Sequence, residues 1–120
     1  MKTNLVEEIN ELEFEREVLR CKLPVLVGFI TGWSQPCRLV EPVLEEIAVA
    51  CTGTAKVFKV NVDDNPDLGT CYGIQSIPTL SYFVNGSVRG KIVGMVSPGA
   101  ILAKFQFITQ EKTPEEKSEQ

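Results

Sequence analysis

Four cysteines are the residues of this 120-residue chain best suited to covalent chemistry, and the chain holds no histidine. Cys21, Cys37, Cys51 and Cys71 stand 16, 14 and 20 residues apart, so no close ligand pair exists and neither a metal nor a cofactor is expected. Cys37 is set apart by its surroundings, Trp33-Ser34-Gln35-Pro36-Cys37. These five residues lie where an apolar run, Val25 to Ile30, gives way to a helical pattern starting near Cys37. A thiol in a first helical turn faces unpaired backbone N–H groups and the positive end of the helix dipole, which favour thiolate over thiol. A Cys-X-X-Cys pair at such a corner would read as a dithiol redox site. Here Ser34 holds the first position, and a hydroxyl neither ionises usefully near neutral pH nor forms a disulfide.

The elements that must position this corner follow from periodicity. Leu5, Val6 and Ile9 mark a short first strand, and Leu12, Phe14, Val18 and Leu19 recur as one helix requires, with Cys21 on the same inward face. Val25 to Ile30 suits a strand buried on both faces, although Gly28 weakens it and leaves space where a side chain would normally pack. After the corner, Val40, Val43, Leu44, Ile47, Ala48 and Cys51 share one helix face, Glu41, Glu45 and Glu46 fall on the other, and Pro42 should bend the helix. Val57 to Val62 forms the next strand. Asn65-Pro66 then opens a short helix that Gly73 ends, with Leu68, Cys71 and Tyr72 on one face. Thr79 to Val84 and Val88 to Met95 make a hairpin about Asn85-Gly86, and Ser97-Pro98 starts a last helix bearing Ile101, Leu102, Phe105 and Ile108. The order βαβαβαββα predicts an α/β domain over residues 1–108, one mixed central sheet flanked by helices, followed by a polar, disordered tail over 109–120. Cys21, Cys51 and Cys71 all read as small buried hydrophobes.

Composition narrows the function. The formal net charge of −4 offers no basic stripe for phosphates, so nucleic acid is not an expected partner. No apolar run approaches the roughly 18 residues of a spanning helix, and the N-terminus lacks the parts of a signal peptide. A cytoplasmic, reducing location without membrane partners is the expectation, in which the cysteines stay free.

The sequence resembles the thioredoxin family over residues 4 to 108. The matching pieces are Trp33-Ser34-Gln35-Pro36-Cys37 against the family's Trp-Cys-Gly-Pro-Cys, Pro42 in the helix, Val60-Asn61-Val62-Asp63 with Asn65-Pro66, Tyr72-Gly73-Ile74, Ile77-Pro78-Thr79, Asn85-Gly86 and Val93-Gly94. The resemblance implies the thioredoxin fold, a catalytic set at Ser34, Cys37 and Pro78, and a cis bond at Pro78. It also implies a substrate groove bordered by Trp33, Gln35, Pro36, Ile77, Gly94 and Met95, where an extended segment of a partner protein pairs with backbone. Of the family's two active-site cysteines, the attacking one is replaced by Ser34 and the more buried resolving one remains as Cys37. The family's aspartate on the strand before the corner is replaced by Gly28, while its lysine neighbour is retained as Lys59. Ile30 and Gln35 depart from the pattern too, and such clustering favours a naturally diverged site.

Three functions follow. In the first, Cys37 alone forms mixed disulfides with a protein partner or a small thiol such as glutathione, with little or no disulfide-reductase turnover. The second is a redox-inactive module that binds proteins in the groove. A third makes the chain a Cys-to-Ser variant of an active disulfide reductase.

Overall fold

The run Val25 to Ile30 has no polar side chain to offer water, and it becomes the middle strand of the sheet, buried at every position. In the computed structural model, which describes residues 5–110, the elements are β1 (Glu7–Glu8), α1 (Glu11–Phe14) continued by a π-helical turn (Glu15–Leu19), β2 (Val25–Ile30), α2 (Gln35–Ala50), β3 (Lys56–Asn61), α3 (Pro66–Cys71), β4 (Thr79–Val84), β5 (Ser87–Val93) and α4 (Pro98–Gln110). The sheet order is β1-β3-β2-β4-β5. β2 runs parallel to β3 and antiparallel to β4, so the expected mixed sheet is present.

Alternation along β2 divides the core in two. Leu26 and Ile30 join α2 and α4 through Leu44, Ile47, Ile101 and Phe105 on one face. Val25, Val27 and Phe29 join Phe14, Val18 and Phe83 on the other, where Tyr72 packs against three aromatic rings. α1 begins with a reciprocal cap: the Asn10 side chain accepts from the Glu13 amide, and the Glu13 carboxylate accepts from the Asn10 amide, both at 3.0 Å.

Several expectations are corrected. The first strand shrinks to two paired residues, Glu7 and Glu8. Leu12 lies outside the apolar stripe and is 90 % exposed, because it sits on the outer side of a helix that buries Phe14 and Val18. Glu41 and Glu45 do not simply face water: Glu41 pairs with Lys59, and Glu45 accepts from the backbone amides of Leu5 at 2.9 Å and Val6 at 3.3 Å. In α3, Leu68 and Tyr72 pack inward and Gly69 is buried, but Cys71 is exposed. Cys21 is half-buried against the second cluster and Cys51 is buried in the first.

At the hairpin, Asn85 and Gly86 take φ of 52° and 80°, and a Cβ on Gly86 would stand 2.8 Å from the Leu19 carbonyl oxygen. β5 stops at Val93, two residues before the predicted end. α4 opens with Ser97 Oγ accepting from the Ala100 amide at 3.2 Å and reaches Gln110, so it includes the first two residues assigned to the tail. Residues 111–120 of that tail lie outside the described residues.

Candidate functional site: a strand-to-helix corner with one thiol

The corner is built by the end of β2 and the start of α2. Ser34 takes an extended conformation as the N-terminal cap residue, its side chain making no capping bond, while its carbonyl accepts from the Arg38 amide at 3.2 Å. Gln35 and Pro36 are the first helical positions, where the missing proline N–H removes no helix bond. Cys37 therefore enters the first turn and points inward, with no exposed surface, into the cluster of Ile30, Val40, Leu44 and Leu80. The amide of Thr31 donates to its sulfur at 3.4 Å. Ser34 is itself buried, 6 % exposed.

The remaining residues arrive from the far half of the chain. Phe29 pairs with Thr79 and Thr79 with Val93, so the segments Ile77-Pro78 and Gly94-Met95 reach the same end of the sheet as the corner. The Ile77–Pro78 peptide bond is cis, Pro78 is buried, and its carbonyl accepts from the Gly94 amide at 2.9 Å. Gly94 has φ of 91°, a backbone conformation that glycine adopts without strain. Trp33 is 70 % exposed and Met95 46 %, Ile77 and Gly94 are half-buried, and Gln35 and Pro36 face solvent. Trp33 is not free to swing, since its indole Nε1 donates to Asp63 Oδ2 at 2.7 Å. All the predicted site residues thus gather at one end of the sheet. Ser34, Cys37 and Pro78 lie below the surface, and the others form its rim.

Behind Cys37 there is no vacancy at Gly28. A Cβ there would lie 2.8 Å from Leu44 Cδ1 and 3.4 Å from Leu80 Cδ2, so these leucines fill the space expected to be left open. Lys59 stands beside Gly28 in the β2–β3 register, and its ammonium lies 2.7 Å from Glu41 Oε1. Sequence reasoning missed Glu41, although its place one helical turn after Cys37 was a readable signal. It also missed Asp63 as the partner of Trp33, which local sequence could not reveal across 30 residues.

Elsewhere, Cys51 lines a cavity of about 310 Å³ with Pro24, Leu102 and Phe105, and burial pushes its thiol upward, toward the protonated form. That cavity is at the other end of α2 from Cys37. Among the described residues no cluster of side chains could hold a metal ion, and no described helix is long and apolar enough to cross a membrane.

Comparison with known proteins accords with this geometry. The family model described as Thioredoxin matches residues 5–107. A protein named Thioredoxin from Rickettsia bellii (strain RML369-C) is 39% identical over 98 residues, spanning 82% of this chain and 93% of its own length. One of the same name from Pyropia yezoensis is 44% identical over 98 residues, 82% of this chain and 91% of its own. Thioredoxin 1 from Nostoc sp. is 46% identical over 89 residues, 74% of this chain and 83% of its own.

Proposed function

Because the chain belongs to the thioredoxin family, whose kind is the thiol–disulfide oxidoreductase, we propose that it is a single-thiol member that docks an extended protein segment and has little or no disulfide-reductase turnover. In this reading Ser34 occupies the place of the attacking thiol, and Cys37 is the one sulfur left for a mixed disulfide. The observation that carries it is the burial of Cys37: with no exposed surface under the Ser34 cap, it is poorly placed to open a substrate disulfide as a first nucleophile. A Cys37 mixed disulfide also lacks a neighbouring thiol at residue 34, so release needs an outside thiol such as glutathione. The reducing, cytoplasmic setting expected for the chain would supply one.

Insulin disulfide reduction with dithiothreitol as donor tests the reading. The chain should match the uncatalysed background, and Ser34→Cys should rise above it. Turnover by the unmodified chain comparable to that of the Ser34→Cys form refutes the proposal.

A second reading, a redox-inactive protein-binding module, is favoured by the rim itself. Trp33 and Met95 expose large apolar surface beside half-buried Ile77, as a docking groove needs. A pull-down whose bound proteins survive both Trp33→Ala and Ile77→Asp argues against it.

A further inference from the structure

We propose that Ser34 and the first turn of α2 form a binding site for a small thiol held as its thiolate, the outside thiol that releases a partner from Cys37. The proposal rests on the reading of the chain as a single-thiol member, and it names the class of molecule the corner takes and the residue that receives it.

The site begins with an uncommitted hydroxyl. Ser34 is 6% exposed, yet its side chain makes no capping bond on α2 and finds no other hydrogen-bond partner among the described residues. Nor is its oxygen sealed in, for Thr31 Oγ1 is the one described side-chain polar atom both fully enclosed and without a partner. The Ser34 hydroxyl is therefore fixed by its surroundings and still reached from outside, and a polar group in that state is completed by what enters. The helix start adds further donors. A capping serine ordinarily accepts from the amide at the third helical position, here Cys37, and that amide is left without an intrahelical partner. Pro36 has no N–H, and the Arg38 amide is already taken by the Ser34 carbonyl. The Ser34 O–H and the amides of Gln35 and Cys37 thus stand at the positive end of a 16-residue helix that has no acidic residue in its first turn.

A few neutral donors without a basic side chain suit a soft anion of single charge. The rim residues Trp33, Gln35, Pro36, Ile77, Gly94 and Met95 carry no cation, whereas phosphate and carboxylate sites draw on Arg or Lys. Arg38 is exposed, the Asp63 carboxylate is engaged by the Trp33 indole, and Glu41 and Lys59 are paired with each other. Trp33 and Met95 offer apolar cover to a polarisable sulfur and its carbon stem. Position gives the second reason. Ser34 stands three residues before Cys37, the spacing of a Cys-X-X-Cys pair, so a sulfur lodged on its hydroxyl lies where a first cysteine would meet Cys37.

The step this serves is the opening of a mixed disulfide between Cys37 and a partner. The thiolate held by Ser34 attacks the partner's sulfur, an S–S bond forms between the small thiol and the partner, the S–S bond to Cys37 breaks, and Cys37 keeps the electron pair. One disulfide replaces another, so no oxidant or reductant is consumed. The Thr31 amide, which donates to the Cys37 sulfur at 3.4 Å, stabilises the departing thiolate until it takes a proton from water. Ser34 touches the attacking sulfur, donates a hydrogen bond to it and keeps its own proton.

The test uses reduced glutathione labelled with 13C at its cysteinyl β carbon, whose resonance reads the thiolate fraction of that thiol alone, added to the full chain under a phosphine reductant. With the chain in saturating excess, the thiolate fraction at neutral pH should rise about threefold to tenfold over that of free glutathione. Ser34→Ala and Ser34→Gly should each return it to the free value, and inorganic phosphate at the same concentration should not displace the thiol. S-methylglutathione, which cannot form a thiolate, should bind the wild type more weakly than glutathione does. An unchanged thiolate fraction, a rise that survives loss of the hydroxyl, displacement by phosphate, or S-methylglutathione binding as tightly as glutathione overturns the proposal. The S-methyl comparison needs only the wild type, so it decides even where a variant fails to fold. Insulin turnover by the unmodified chain would remove the single-thiol reading, whereas an unchanged titration would leave that reading standing, so the two failures are distinguishable.

Discussion

Gly28→Ala should destabilise the fold by about 1 kcal/mol, and the sum comes from two opposed effects. Adding a Cβ places a carbon 2.8 Å from Leu44 Cδ1, where ordinary contacts begin near 3.4 Å, so the leucine tip must retreat. Leu44 has no exposed surface, and its retreat presses on Cys37, Val40 and Ile47 in the same cluster. Overpacking of this kind costs about 1–3 kcal/mol, and the colliding atom is the free end of a flexible side chain, which favours the lower part of that range. Against it, alanine is better than glycine in an element interior by about 0.5–1 kcal/mol. The net loss corresponds to a fall of about 3–6 °C in Tm for a domain of this size. Urea denaturation of the two proteins measures it, with an unchanged m-value as the sign that only stability moved. Gly28→Asp should lose about 2–4 kcal/mol, because a carboxylate would be desolvated beside a lysine already engaged by Glu41. A Gly28→Ala protein as stable as the parent, or more so, would refute the packing argument. Leu44 would then be free to move.

Other measurements probe the site and its support. Burial raises the Tyr82 hydroxyl from its ordinary value of 10.0 to about 12, so its contribution to stability is whole below pH 10 and is lost as pH rises through about 12. Tyr82→Phe should cost about 1–2 kcal/mol at neutral pH through the lost bond to Ile101 and should flatten that alkaline limb, both read by chemical denaturation; an equally steep limb would refute the assignment. In native alkylation by iodoacetamide followed by peptide mass spectrometry, Cys71 should react first and Cys21 next, then Cys37, with Cys51 last. Exposure orders the first pair, and burial pushes the Cys51 thiol toward its protonated form, which sets it last. Cys37 reacting no faster than Cys51 would sink the mixed-disulfide reading.

The sequence announced features whose cause is local. β2 and β4 have the predicted bounds because an unbroken apolar run and a strand before Asn-Gly leave little alternative, and Asn65-Pro66 and Ser97-Pro98 mark helix starts by their own chemistry. The reading failed where a tertiary partner decides. Glu41 and Glu45 read as a solvent face, yet each finds a specific partner, one a lysine on β3 and the other two backbone amides near the N-terminus. Cys71 shares a helical face with Leu68 and Tyr72 on paper, but α3 is six residues long and buries only part of that arc. Leu12 failed because it stands two residues before Phe14 in α1 and so lies on the side of the helix away from the core.

Residues 34, 28 and 59 are each accommodated within the fold. Ser34 caps α2 through its backbone, its carbonyl accepting from Arg38, and the side chain supplies no capping bond, so the element starts the same way whether residue 34 carries sulfur or oxygen. At residue 28 the two leucines occupy the space beside the strand, so the core stays filled without a side chain there. Lys59, in register with residue 28, finds its counter-charge on α2 instead. At each of these positions the fold satisfies packing, hydrogen bonding or charge by its own contacts. At the rim of the corner, Pro78 is tied to Gly94, and Trp33 to Asp63. The proposed single-thiol reading therefore separates binding from turnover at residue 34, away from the Pro78–Gly94 and Trp33–Asp63 contacts.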